Sequence, residues 1–194
     1  VSRYWYFPAT LPGLLFGSPA PLSSQEFLSL CQRNISPEDC AEVAEAPAYL
    51  IGARVPESFR SDFLRKFVAW ERTFRNELAR LRARRAERNE EAFVRPSQRS
   101  DEAARAAMSC FSVEDPYQAE LMLERERWNA IERLSSLSSF DLDFIIAYRL
   151  KLEINARLDR FAMESGKEGY KALYGDIIGR ASRTVETEMR GEKA

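Results

Sequence analysis

The chain has 194 residues, 45% of them hydrophobic and 30% charged in both signs, with a formal net charge of -1. That length and apolar content can build a core and exclude a disordered chain, while the balanced charge leaves only local attraction to nucleic acid or an anionic membrane. There is no histidine, which removes Ser-His-Asp and Cys-His nucleophilic catalysis, HExxH sites and every His-ligated zinc.

Residues 1 to 22 carry Pro8, Pro12, Pro19 and Pro21 among the aromatics Tyr4-Trp5-Tyr6-Phe7 and Phe16. Proline removes backbone donors, so this segment is expected to be extended and irregular, held by docked aromatics. It is too short and too broken to span a bilayer, and no basic stretch with a cleavage site frames it as a signal peptide. The expected location is cytoplasmic.

Ser23 with Glu26 three residues on forms a capping box, predicting a helix start ahead of Phe27 and Leu30. Ser36-Pro37-Glu38-Asp39 predicts a second start, with Ser as N-cap, Pro at the first helical position and acids in the first turn. Phe59, Phe63, Phe67, Trp70, Phe74, Leu78 and Leu81 then recur at spacings of four and three, which is one apolar helical stripe. A helix over about 56–92 is expected, roughly 50 Å long at 1.5 Å per residue. Its distal half, Arg82 to Glu91, is almost wholly charged and is expected to project into solvent or toward a partner.

A polar hinge near 95–101 precedes an Ala-rich helix at 102–110, and Asp115-Pro116 opens another that carries Leu121, Trp128 and Ile131. Phe140-Asp141-Leu142-Asp143-Phe144 alternates like a strand, but the apolar run through Leu158 is too long for one, so a helix capped by Ser139 is predicted. A last stripe over Lys167 to Met189 predicts a further helix. The fold class is therefore all-α: an elongated helical bundle with one long helix and an irregular N-terminal segment. It forms a single domain over 1–194, or two lobes, 1–95 and 101–194.

Cys31, Cys40 and Cys110 form no CxxC pair and leave one over, which fits buried thiols in a reducing compartment. No GxGxxG occurs, and Gly166-Lys167 lacks the earlier glycine of a phosphate loop. The acidic pairs Asp141/Asp143, Glu90/Glu91 and Glu124/Glu126 read as solvated or dipole-compensating surface carboxylates. No catalytic residue, cofactor, metal or small-molecule substrate is expected, and the chain is not expected to be an enzyme.

Two groups remain as candidates for partner binding. Trp5, Tyr6 and Phe7 either seal their own domain or anchor a neighbour. Between Arg72 and Arg88 there are seven arginines against Glu77 and Glu87. Within that run Arg82, Arg84, Arg85 and Arg88 read as a solvated face, a phosphate-contacting helix, or a surface for an acidic protein.

Tyr4-Trp5-Tyr6-Phe7 with Leu11-Pro12 and Pro21-Leu22-Ser23, Trp70-Glu71 with Arg75-Asn76-Glu77-Leu78-Ala79, Ala119-Glu120 with Arg127-Trp128, and Phe140-Asp141-Leu142 with Ala147-Tyr148-Arg149-Leu150-Lys151-Leu152 stand in this order along the chain. In that order they resemble an uncharacterised bacterial family encoded within V-type ATPase gene clusters. In those clusters the all-helical socket component, called d in the eukaryotic enzyme, is not otherwise evident. The resemblance implies a non-catalytic component joining the central stalk to the membrane proteolipid ring. Its partners would be the other V-type ATPase subunits of stalk and ring, and its place the cytoplasmic face of the inner membrane, with no span of its own and no nucleic acid. An assembly factor, or a nucleic-acid-binding protein using Arg80 to Arg88, is the alternative.

Overall fold

Local signals in the sequence fix most of the helix starts. Ser23 Oγ accepts from Glu26 N while the Glu26 carboxylate accepts from Ser23 N, so both halves of the capping box close and α2 runs Ser24–Asn34. Ser36 caps α3, Pro37–Leu50, through Asp39 N. Ser61 caps α4, Asp62–Arg85, through Leu64 N, and Ser100 caps α5, Asp101–Phe111, through Ala103 N. Asp115 caps α6, Pro116–Leu134. A short helical turn, α1, Phe7–Thr10, interrupts the otherwise irregular N-terminal segment. These elements come from a computed structural model that describes residues 3–52, 58–97 and 100–161. The predicted helix at Lys167 to Met189 lies outside the described residues.

Val1–Ala156 form one compact unit and Arg157–Ala194 a second. Within the first unit α4 packs against α3, α5 and α6, and α5 against α6. Elements from 1–95 and from 101–156 thus share one core. A seventh helix, α7, begins at residue 142 and runs through the end of this unit. Among the described residues every regular element is helical, and the one extended pairing is an isolated antiparallel bridge between Arg3 and Asp141.

That bridge moves the predicted start of α7. Tyr4 N donates to Phe140 O at 2.6 Å, so the backbone at 140–141 is committed to the N-terminal segment, and Asp141 rather than Ser139 caps the helix by accepting from Phe144 N at 3.0 Å. The strand-like alternation at 140–144 is used for one pairing only.

The apolar stripe of α4 forms the core as expected. Phe63, Phe67, Phe74 and Leu78 are buried, and Phe63–Phe67, Phe67–Trp70 and Trp70–Phe74 stack in a row with centroids 4.9–6.2 Å apart. Rows of stacked rings of this kind supply large buried area with defined geometry. The helix is shorter than the 56–92 predicted, however, and its end does not project. Arg88 N returns to Ala83 O and Glu87 N to Arg84 O, with Glu87 at φ 54, which is a Schellman stop built without glycine. A 3-10 turn, Glu90–Phe93, then folds back onto α4. Arg84 holds Glu90 at 2.8 Å, and Asn76 takes Arg95 N at its Oδ1 while donating to Arg95 O and Ser97 Oγ. The charged distal half is thus tied to its own return loop.

Asn155 secures the N-terminal segment in the same way, accepting from Gly17 N at 3.1 Å and donating to Leu15 O at 2.9 Å. Tyr148 OH donates to Pro12 O, and Tyr4 OH reaches buried Asp39 at 2.5 Å. The proline-rich stretch is therefore strapped across α3 and α7. Gly52 ends α3 at φ +82, and a Cβ there would meet Arg75 Nη1 at 2.8 Å, so both the turn and the crossing arginine require glycine.

Candidate functional site

The first candidate group divides. Phe7 is 4% exposed and stacks on Phe27, so it belongs to the core, and its assignment as a partner-binding residue is corrected: the α1 turn rotates it inward while its two predecessors face out. Trp5 and Tyr6 are 63% and 80% exposed. Trp5 stacks on Phe140 at 5.5 Å, with the Arg3 guanidinium 5.5 Å from its ring. Leu137, three residues before Phe140 in the α6–α7 turn, is 98% exposed. A side chain so placed contributes nothing to its own core and marks a surface available to a neighbour.

The arginines divide too. Arg82, Arg84, Arg85 and Arg88 are all exposed. Arg84 is occupied by Glu90, whose carboxyl the Arg84 guanidinium holds below its ordinary range. Arg80, the nominal start of the face, is paired with Glu77 at 2.6 Å and lies 3.8 Å from Glu91. Arg85 lies 5.8 Å over the Phe111 ring at the end of α5. What the fold leaves for a partner is Arg82, Arg85 and Arg88.

Sequence reasoning missed the buried charges. Glu71 on α4 and Glu124 on α6 are both buried and both hold Arg127, which donates Nε and Nη2 to Glu71 at 3.1–3.2 Å and Nη1 to Glu124 at 3.0 Å. Arg75 Nε adds 2.6 Å to Glu71 from one turn on. Glu124 is therefore no surface carboxylate. Neither is Asp143, which accepts from Ser61 Oγ at 2.6 Å and Phe63 N at 3.3 Å, linking α7 to the first turn of α4. Every carboxylate in these clusters faces a cation or a cap, the arrangement that fixes register rather than the split acid and base environments that proton transfer needs.

The thiols are equally quiet. Burial pushes Cys31 up to about 12, with Cys40 adding and Arg149 opposing, and pushes Cys110 up to about 11. Thiols held protonated in this way are poor nucleophiles at neutral pH. Among the described residues no group of three His, Cys, Asp or Glu side chains is placed to hold a metal ion, and no helix is long and apolar enough to cross a membrane. An open depression of about 600 Å³ lies along α2 beside Ser23, Glu26, Ser29 and Arg33, whose polar atoms are already spent on the capping box and on backbone carbonyls of the same helix.

Matched against family models, curated proteins and solved structures, the chain finds no counterpart in any of the three.

Proposed function

We propose that this chain is a non-catalytic part of a V-type ATPase, a counterpart of the socket component d of the eukaryotic enzyme, that joins the rotating central stalk to the membrane proteolipid ring at the cytoplasmic face. The observation that supports this reading is how the segments carrying the resemblance meet. Tyr4 and Trp5 lie on Phe140 and Asp141. Glu71 grips Arg127, Tyr148 reaches Pro12, and Lys151 sits 4.9 Å over Trp128. Segments far apart in sequence are one another's contact partners, so the resemblance is one of framework. A part that transmits torque does its work by resisting deformation, and close packing with locked ion pairs provides that resistance.

The test is recovery of the chain from native membranes through an affinity tag. Stoichiometric stalk and proteolipid-ring components in the mature, ATP-hydrolysing complex support the reading. Recovery with assembly intermediates alone makes the chain an assembly factor, and recovery of neither component overturns the proposal. The nucleic-acid alternative gains nothing from the geometry, because Arg80 and Arg84 are already neutralised within the chain.

A further inference from the structure

The last turn of α4 and the end of α5 lie together, since Arg85 covers Phe111 at the final position of α5. Three exposed arginines meet there. Arg82 and Arg85 stand one turn apart on α4, and Arg88 follows the Schellman stop. Among the described residues no ion pair engages any of the three, because the glutamates of the return loop, Glu90 and Glu91, are directed to Arg84 and Arg80. Helix C-terminal dipoles offset only about half a charge each, so a positive excess persists at this end of a chain whose net charge is -1. Met108, one turn before Phe111 on α5, is 55% exposed and supplies an apolar contact beside the cations.

We propose that this end of α4 and α5 is a docking surface for an acidic amphipathic helix of a partner protein. Arg82, Arg85 and Arg88 grip carboxylates spaced along one face, and Met108 receives an apolar side chain. Guanidinium forks match carboxylates bidentately, and arginines three positions apart stand about 5–6 Å apart at Cβ, the spacing of acids at i and i+3 or i+4 on a facing helix. An exposed methionine is an adaptable apolar contact. A nucleic-acid backbone has no use for Met108 and ordinarily engages more cations than three. The proposal does not depend on which assembly the chain joins.

A fluorescent helical peptide of glutamate and leucine in amphipathic order, titrated with the full chain, tests it without any ATPase component. The peptide is expected to bind at low ionic strength, more weakly as salt rises. Affinity is expected to fall about tenfold or more in Arg82→Glu/Arg85→Glu/Arg88→Glu and to change little in Arg65→Glu, which reverses an exposed charge on α4's opposite end. Because Arg85 also touches Phe111, Arg82→Gln/Arg88→Gln gives the same readout if the triple variant loses helicity. No binding at low salt, equal binding by the variants, or preferential binding of an oligothymidine strand overturns the proposal.

Discussion

Arg127 and Glu71 close a buried ion pair across 56 positions of sequence, with three donor–acceptor contacts of 3.1–3.2 Å. Burial opposes the charge on Arg127, but Glu71 and then Glu124 more than offset it, so its pKa is raised rather than lowered. α4 and α6 are thereby set in one rotational register, because a slip of either helix would strand these charges in the core.

Removing the shared cation should be costly. Arg127→Met leaves the buried carboxylates of Glu71 and Glu124 facing each other, and is expected to lose about 3–5 kcal/mol in urea unfolding. Adding Glu71→Leu and Glu124→Leu should recover most of that loss, since apolar residues of similar volume need no partner. A triple variant as unstable as the single one would show that shape, not charge, holds this interface.

Glu87 stops α4 in the left-handed region, at φ 54, where a side chain is strained. Glu87→Gly keeps both Schellman hydrogen bonds and relieves that strain, and is expected to stabilise by about 0.5–1 kcal/mol. The denaturation midpoint should rise with no change in slope.

The contrast between these two sites explains what the sequence made legible. Caps at Ser23 and Ser36, and the Phe63-to-Leu78 stripe, depend on local spacing and appear as predicted. The end of α4 does not, because it rests on a non-glycine residue in a glycine position and on Arg84–Glu90 and Asn76–Arg95 contacts that no local pattern encodes. Glu71, Glu124, Asp39 and Asp143 were hidden for the same reason: a buried charge looks like a surface charge until its partner is placed beside it. Of the candidate surface residues, Trp5, Tyr6 and the arginines were visible by composition, but only the α1 turn separates Phe7 from its neighbours.

Alkali should weaken the fold. Burial holds Cys31 up to about 12 against an ordinary 9.0, Cys110 to about 11, and Tyr148 to about 12 against 10.0. All three are raised, so their contribution is complete below pH 9. It is lost as pH rises toward 11–12, where the unfolded chain has shed protons that the folded chain retains. Urea midpoints are expected to decline steadily from about pH 9 upward, with a shallower decline in Cys31→Ala. At neutral pH a maleimide should label half-exposed Cys40 first and reach buried Cys31 and Cys110 only on unfolding. Equal labelling of all three in the folded protein would contradict the burial.

Tyr6 and Phe7 are neighbours in sequence with opposite fates, 80% and 4% exposed. Phe7→Ala removes a ring stacked on Phe27, itself stacked on Tyr148 at 5.2 Å, and is expected to cost about 3–5 kcal/mol. Tyr6→Ser removes a ring that touches mostly water and should stay within about 0.5 kcal/mol of the parent. Trp5 provides an independent optical check, because Trp70 and Trp128 are buried and it is not. Iodide should quench only a minor part of the tryptophan emission, and Trp5→Phe should abolish that part while leaving the unfolding midpoint nearly unchanged. If Tyr6→Ser destabilises as much as Phe7→Ala, the aromatic surface is part of the core. If it is neutral in stability yet lowers recovery of stalk or ring components, Tyr6 is held at the surface for a partner, and the two consequences of one α1 turn are separated by a single pair of variants.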